Sequence, residues 1–132
     1  MYSLSSTSIR RLKGIDIVLI EILLEGIKDS PYDFGIPVYG GLRTKQDQEK
    51  LYSIGRTTEL HRTPVTWTKN SYHITGKAFD IYAYVDGQAT WNHKYYEPIA
   101  RHLQKIAKDC FCVDLEWGGD WDKKDLPHFQ IK

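Results

Sequence analysis

The stretch Ser71-Tyr72-His73-Ile74-Thr75-Gly76-Lys77-Ala78-Phe79-Asp80 decides the reading, together with Asp125-Leu126-Pro127-His128-Phe129-Gln130 near the end of the chain. Between them they supply two imidazoles, His73 and His128, and one carboxylate, Asp80. That donor set suits a catalytic zinc site, with three protein ligands and a fourth position for water. Asp125, three residues before His128, is placed to take a proton from that water.

Alternation explains how these side chains meet. Along 78–85, Phe79, Ile81, Ala83 and Val85 share one face of an extended strand. Ala78, Asp80, Tyr82 and Tyr84 share the other, so Asp80 points away from the core. Gly76 permits a tight reversal that returns His73 toward Asp80. Near the end, Phe129 and Ile131 face the core while His128 and Gln130 face the opposite side. Pro127, lacking an N–H, fits the start or edge of a strand. Taken singly, a histidine beside an aromatic-rich strand is commonly structural, and Asp125 is an ordinary turn residue. Asp80 is harder to dismiss, because aspartate is depleted in strands.

The pattern Ser-x-His-x-x-Gly-x-Ala-x-Asp followed by Asp-x-x-His resembles the zinc D-Ala-D-Ala peptidases and the related phage L-alanyl-D-glutamate endopeptidases. Gly41-Leu42-Arg43-Thr44 with Gln48 and Leu51-Tyr52, and Glu116-Trp117-Gly118-Gly119-Asp120-Trp121, are also similar and stand in the family order. The resemblance implies Zn2+ on His73, Asp80 and His128, Asp125 as catalytic base, and Arg43 as a substrate-binding or oxyanion-stabilising arginine. Many members carry Glu at the base position; Asp is similar to the phage endolysin branch. The implied fold is α+β, of the kind seen in DD-peptidases and the Hedgehog signalling domain. Helices cover one face of a small, mostly antiparallel sheet, and the zinc cleft lies on the other.

Length and composition agree with a single peptidase domain over 1–132. Hydrophobic residues make up 41% and charged residues 27%, ordinary for a soluble protein. A net charge of +1 gives no electrostatic case for nucleic acid. No basic start leads into an apolar run, so no signal peptide is expected. The apolar run 15–27 is broken by Asp16, Glu21 and Glu25 and is too short to enter a membrane. Cys110 and Cys112 read as reduced, partly buried thiols of a protein made in a host cytoplasm.

The remaining elements follow from periodicity and caps. Ile9, Leu12, Ile15, Leu19, Ile22, Leu23 and Ile27 form one stripe, predicting a helix from about 6 to 28. A brief strand is expected near Val38. A second helix over 44–54 is capped by Thr44, closed by Gly55 and packed through Leu51 and Ile54. The polar loop 56–70 is expected to line the cleft, with His61 exposed and Trp67 packed. Asp86-Gly87 marks a turn. A third helix runs from Asn92, or from Glu97 with Pro98 in its first turn, to Asp109. Ile99, Leu103, Ile106 and Ala107 form its inner face, and His93 and His102 are expected on the solvent side. Val113, Leu115 and Trp117 alternate as a strand.

Trp117 and Trp121 flank Gly118-Gly119, an arrangement suited to an extended peptide, although core packing equally accounts for Trp117. Ser71 is a candidate for holding substrate or orienting a ligand. The function expected is a bacteriolytic, zinc-dependent peptidoglycan hydrolase. It would act as a monomer on the L-Ala–D-Glu bond of the stem peptide once released to the cell wall. A D-alanyl-D-alanine carboxypeptidase and a zinc-stabilised, non-catalytic binding module are the alternatives.

Overall fold

A computed structural model describes residues 1–62, 64, 66 and 71–132. Trp67 lies outside the described residues. Among the described residues four α-helices, α1 (Ser6–Arg11), α2 (Ile17–Gly26), α3 (Lys45–Ser53) and α4 (Tyr96–Phe111), accompany six short strands. These are β1 (Asp33–Gly35), β2 (Ala78–Asp80), β3 (Tyr82–Val85), β4 (Gln88–Thr90), β5 (Glu116–Trp117) and β6 (His128–Gln130). Every strand pair is antiparallel, as expected for this α+β class. The strands form two three-stranded sheets rather than one, ordered β1-β3-β4 and β2-β6-β5.

The expected long first helix is two helices. Gly14 adopts φ +90, and its free α-carbon face meets Leu42. A side chain there would be strained and crowded, and a glycine also weakens a helix interior by ~1 kcal/mol. Asp16 then caps α2 by accepting from the Val18 N–H. Its backbone N–H bonds the Gly76 carbonyl, which ties the break to the loop carrying His73. The stripe survives from Leu12 to Ile27, whereas Ile9 is exposed.

The run 78–85 also divides. Ile81 separates β2 from β3, which belong to different sheets. The Asp80 N–H bonds the Gly40 carbonyl and the Ile81 N–H bonds the Pro127 carbonyl. Alternation nevertheless holds across the junction, with Phe79, Ile81 and Ala83 buried. Asp86 (φ 53) and Gly87 (φ 78) form a left-handed two-residue turn into β4, a strand the sequence reading did not include. The strand expected near Val38 lies earlier, at β1; Pro37 offers no N–H, and Val38 is exposed.

One apolar cluster joins the layers. Leu19, Ile22 and Leu23 of α2 bury with Ile99, Leu103 and Ala107 of α4. Gly26 admits this approach, since a β-carbon there would fall 2.6 Å from Leu103 Cδ2. His102 is half-buried rather than on the solvent side, and its Nε2 lies 2.7 Å from the Gly26 carbonyl of α2. His93 and His61 are exposed. In α3 Thr44 and Asp47 form a reciprocal capping box, but the buried residue is Gln48, with Leu51 and Ile54 only half-covered. Cys110 and Cys112 are exposed, not partly buried, because they lie at the free end of α4.

Candidate metal centre and active-site cleft

Sheet register creates the centre. In β2 and β6, Phe79 pairs with Phe129 and Asp80 with His128. The two phenyl rings stack at 5.1 Å on the core side. The next residue along each strand must face the other way, so Asp80 and His128 emerge side by side. His73 comes from the turn before β2. Its backbone carbonyl accepts from the Arg43 N–H, and its own N–H bonds Ser71 Oγ.

Three ligand atoms converge. His73 Nε2 lies 3.1 Å from Asp80 Oδ1 and 3.2 Å from His128 Nδ1, and His128 Nδ1 lies 3.2 Å from Asp80 Oδ1. Ligands at ~2.0 Å from a tetrahedral zinc stand ~3.3 Å from one another, so this near-equilateral triangle has the size such an ion requires. The outer nitrogens are engaged elsewhere. His73 Nδ1 lies 2.8 Å from the Gly41 carbonyl, and His128 Nε2 lies 2.8 Å from Gln130 Oε1. Both acceptors require the N–H on the outer nitrogen, leaving each inner lone pair aimed at the cluster. The residues present fit a divalent metal.

A second layer continues outward from His128. Gln130 Nε2 donates to Glu116 Oε2 at 3.4 Å, and Trp121 Nε1 donates to the same oxygen at 2.7 Å. Sequence reasoning missed Gln130 and Glu116 as supporting residues. The signal for Gln130 was its place two residues from His128 on one strand face. Nothing local marked Glu116, which is brought in by the pairing of β5 with β6.

Arg43 is anchored beside the cluster. Its guanidinium donates to Asp80 Oδ2 at 2.9 Å, Gln48 Oε1 at 2.9 Å and the Tyr39 carbonyl at 2.7 Å. It therefore occupies the Asp80 oxygen that faces away from the two histidines, while still lining the cleft.

Charge and burial compete at Asp80, His128 and Asp125. Burial alone would raise the Asp80 carboxyl, but His73 and His128 together hold it far below the ordinary carboxylate range. Burial alone would lower His128, yet the Asp80 hydrogen bond and charge outweigh it and raise the imidazole. Asp125 is pushed up, first by burial and then by the Asp80 charge, with His128, His73 and Arg43 offsetting part.

The cluster opens into a cleft of about 870 Å³ whose lining includes Arg43, Ser71, Asp80, Asp125 and His128, and also Arg62, Tyr72, Trp91, Trp121 and Lys123. Trp121 lines it with its ring 5.1 Å from that of His128. Trp117 does not line it: the indole is 3% exposed, and its Nε1 donates to the Leu126 carbonyl. The core alternative holds for Trp117 because the alternation of β5 turns it inward with Phe129, its register partner. The close approach at Gly118 is to the chain itself. A β-carbon there would fall 2.3 Å from the Asp125 carbonyl oxygen, and the Asp125 N–H bonds the Gly118 carbonyl.

A mixed α+β fold bearing a His–Asp–His donor set beside a carboxylate with a raised pKa, in an open cleft, is built like a hydrolytic metalloenzyme. The chain belongs to the phage L-alanyl-D-glutamate peptidase family, whose profile matches residues 1–131. It is 28% identical over 123 residues to the peptidoglycan L-alanyl-D-glutamate endopeptidase CwlK of Bacillus subtilis. That match covers 90% of this chain, which spans 62% of the length of the Bacillus protein. It is 26% identical over 132 residues to the L-alanyl-D-glutamate peptidase of Escherichia phage T5, covering 99% of this chain and 90% of that protein. The fold superposes on the crystal structure of the Serratia marcescens L-Ala D-Glu endopeptidase ChiX with a TM-score of 0.80. That match has 29% identity and covers 99% of this chain and 90% of the other. The resemblance drawn from the motifs is therefore correct at the level of the family.

Proposed function

We propose that the chain is a zinc-dependent endopeptidase that hydrolyses the L-Ala–D-Glu bond of peptidoglycan stem peptides, with residues 1–132 acting as one catalytic domain. The observation that carries this reading is the triangle of His73 Nε2, Asp80 Oδ1 and His128 Nδ1 with edges of 3.1–3.2 Å, beside the cleft-lining Asp125. The named activities of the family's relatives supply the bond.

A zinc ion bound there would polarise the scissile carbonyl and lower the pKa of water toward ~7. The chain's own residues supply the rest. His73 and His128 present neutral inner nitrogens because Gly41 and Gln130 hold their outer protons. Asp80 offers one oxygen inward because Arg43 holds the other. Asp125 accepts the proton of the attacking water and returns it to the leaving amine, work that suits a carboxylate raised above its ordinary range. Arg43 keeps its negative partner in place and presents its remaining N–H groups at the cleft wall. Ser71 fixes the His73 backbone.

Among the described residues no helix is long and apolar enough to cross a membrane. On this reading the substrate, a polar peptide on a glycan strand, lies in the open cleft. Digestion of purified muropeptides followed by fragment masses tests it. Fragments ending in L-Ala and beginning with D-Glu are expected; release of free D-Ala alone identifies a carboxypeptidase instead, and intact muropeptides with zinc bound identify a binding module.

A further inference from the structure

The cleft extends past the metal cluster to an indole that the hydrolysis does not use. Trp91 is 56% exposed and lines the same cleft as Asp80, Asp125 and His128. It is nevertheless held. Its ring lies nearly parallel to Tyr96, 11° off with centroids 6.3 Å apart, and 6.5 Å from the ring of Tyr82. Tyr96 is in turn fixed, its hydroxyl donating to the Thr90 carbonyl at 2.8 Å and accepting from the Ala83 N–H at 3.1 Å. An indole left open to water but braced from behind is a preoriented apolar plate at the cleft's lip.

The plate and the metal cluster line one cleft. Thr90, next to Trp91, pairs with Ala83 of β3, the strand that follows Asp80 after the break at Ile81. In a peptidoglycan stem, L-Ala is joined through a lactyl group to the ring of N-acetylmuramic acid. With the L-Ala carbonyl at the metal cluster, one residue and one lactyl link reach ~7 Å, and the centre of the sugar ring lies ~10 Å out. The remaining neighbours of the bond fit the plate poorly: L-Ala offers a single methyl group and D-Glu a carboxylate. A pyranose offers a face of C–H bonds, which packs against the electron-rich face of an indole.

We propose that Trp91 is a platform for the muramyl sugar ring that carries the stem peptide, so that the cleft reads the glycan as well as the peptide. This rests on the L-Ala–D-Glu reading of the site. The experiment compares two substrates with the same stem peptide, one bearing its disaccharide and one with the sugar removed. The readout is the ratio of kcat/KM between them for the wild-type chain, Trp91→Ala and Trp91→Phe.

The wild type is expected to favour the glycosylated substrate. Trp91→Ala is expected to lower the ratio about tenfold, mainly through KM, the equivalent of ~60 Å² of apolar surface no longer removed from water. Trp91→Phe, which keeps a ring against Tyr96, is expected to retain part of the preference and carries the test should the alanine variant not fold. A ratio unchanged in both variants overturns the platform and leaves the peptidase reading standing. A wild type that cuts neither substrate at L-Ala–D-Glu removes the peptidase reading, and the platform with it.

Discussion

His128 and Gln130 stand two residues apart on β6, and the imidazole Nε2 of the first lies 2.8 Å from Oε1 of the second. The contact fixes the tautomer. With the proton held on Nε2, the lone pair of Nδ1 is left facing the point where Asp80 Oδ1 and His73 Nε2 also converge. Gln130 is itself held by Glu116, so the orientation of the His128 imidazole runs back into β5.

Replacing Gln130 with Leu removes the acceptor while keeping a side chain of similar size. Metal affinity is expected to fall about 10- to 100-fold, the usual cost of losing such an outer partner. Competition against a chelator measures it. An unchanged affinity would mean that His128 needs no help to present Nδ1.

Metal loading should depend on pH in a direction set by the same imidazole. Asp80 raises His128, so the metal-free protein keeps a proton there to a higher pH than a free histidine would. Apparent metal affinity is therefore expected to weaken as pH falls into the range where His128 protonates. Stability of the chelated protein should follow the two shifts. The raised His128 contributes fully below its unfolded value, near pH ~6.5, and its contribution is lost as pH rises through the folded pKa. The depressed Asp80 contributes above its unfolded value, near pH ~3.9, and is lost on acidification. Thermal unfolding of the chelated protein across pH should show its maximum between those limits, and of the loaded protein at higher pH.

Asp125→Asn separates binding from chemistry. Asp125 contributes no atom to the His73, Asp80 and His128 triangle, so bound metal should be retained. Activity on muropeptides is expected to fall about 10²- to 10⁴-fold with loss of the general base. The base works only when ionised, and burial beside Asp80 raises its pKa. That rise belongs to the metal-free protein; the charge of a bound cation would offset it, and the acid limb of kcat/KM reports the balance. Wild-type activity in Asp125→Asn would transfer the role elsewhere.

The site was more legible than the fold around it. His73, Asp80 and His128 could be grouped because the motifs resemble a known family, and alternation with one glycine turn fixes their directions locally. The supporting shell could not, because Gly41, Gln48 and Glu116 reach it through contacts that sequence spacing does not encode. The first helix was misread for a related reason. Its apolar stripe continues through Gly14, and the turn there is tied by a bond from the Asp16 N–H to the Gly76 carbonyl, about sixty residues away, which spacing does not encode. Trp117 and Trp121 bracket the same two glycines yet face opposite ways, since β5 turns one into the core before the chain leaves the sheet.

That junction also bears on stability. Asp16 caps α2 and pairs with Lys77 beside the His73 loop, and both contacts hold its carboxyl below the ordinary range. Asp16→Ala is expected to cost about 1 kcal/mol, mostly as a lost cap. For a chain of this length that is a fall of about 4 °C in Tm. The loss should shrink on acidification, because the wild-type contribution is itself lost as pH falls through the depressed Asp16 pKa.

Gly118 tests whether the position of Asp125, and not only its charge, matters. A methyl group on Gly118 would meet the Asp125 carbonyl oxygen at 2.3 Å, and that oxygen also accepts the His128 N–H. The obstacle is backbone, so the segment leading into β6 must shift rather than a side chain rotate. A displacement of about 1 Å in a catalytic group is enough for a ~10²-fold loss of rate. Gly118→Ala is therefore expected to lower kcat by about that factor. Its metal content should stay near wild type, because Phe79 and Phe129 still hold β2 against β6. Metal lost in parallel with activity would show instead that the segment carrying Asp125 and the strand carrying His128 move as one piece.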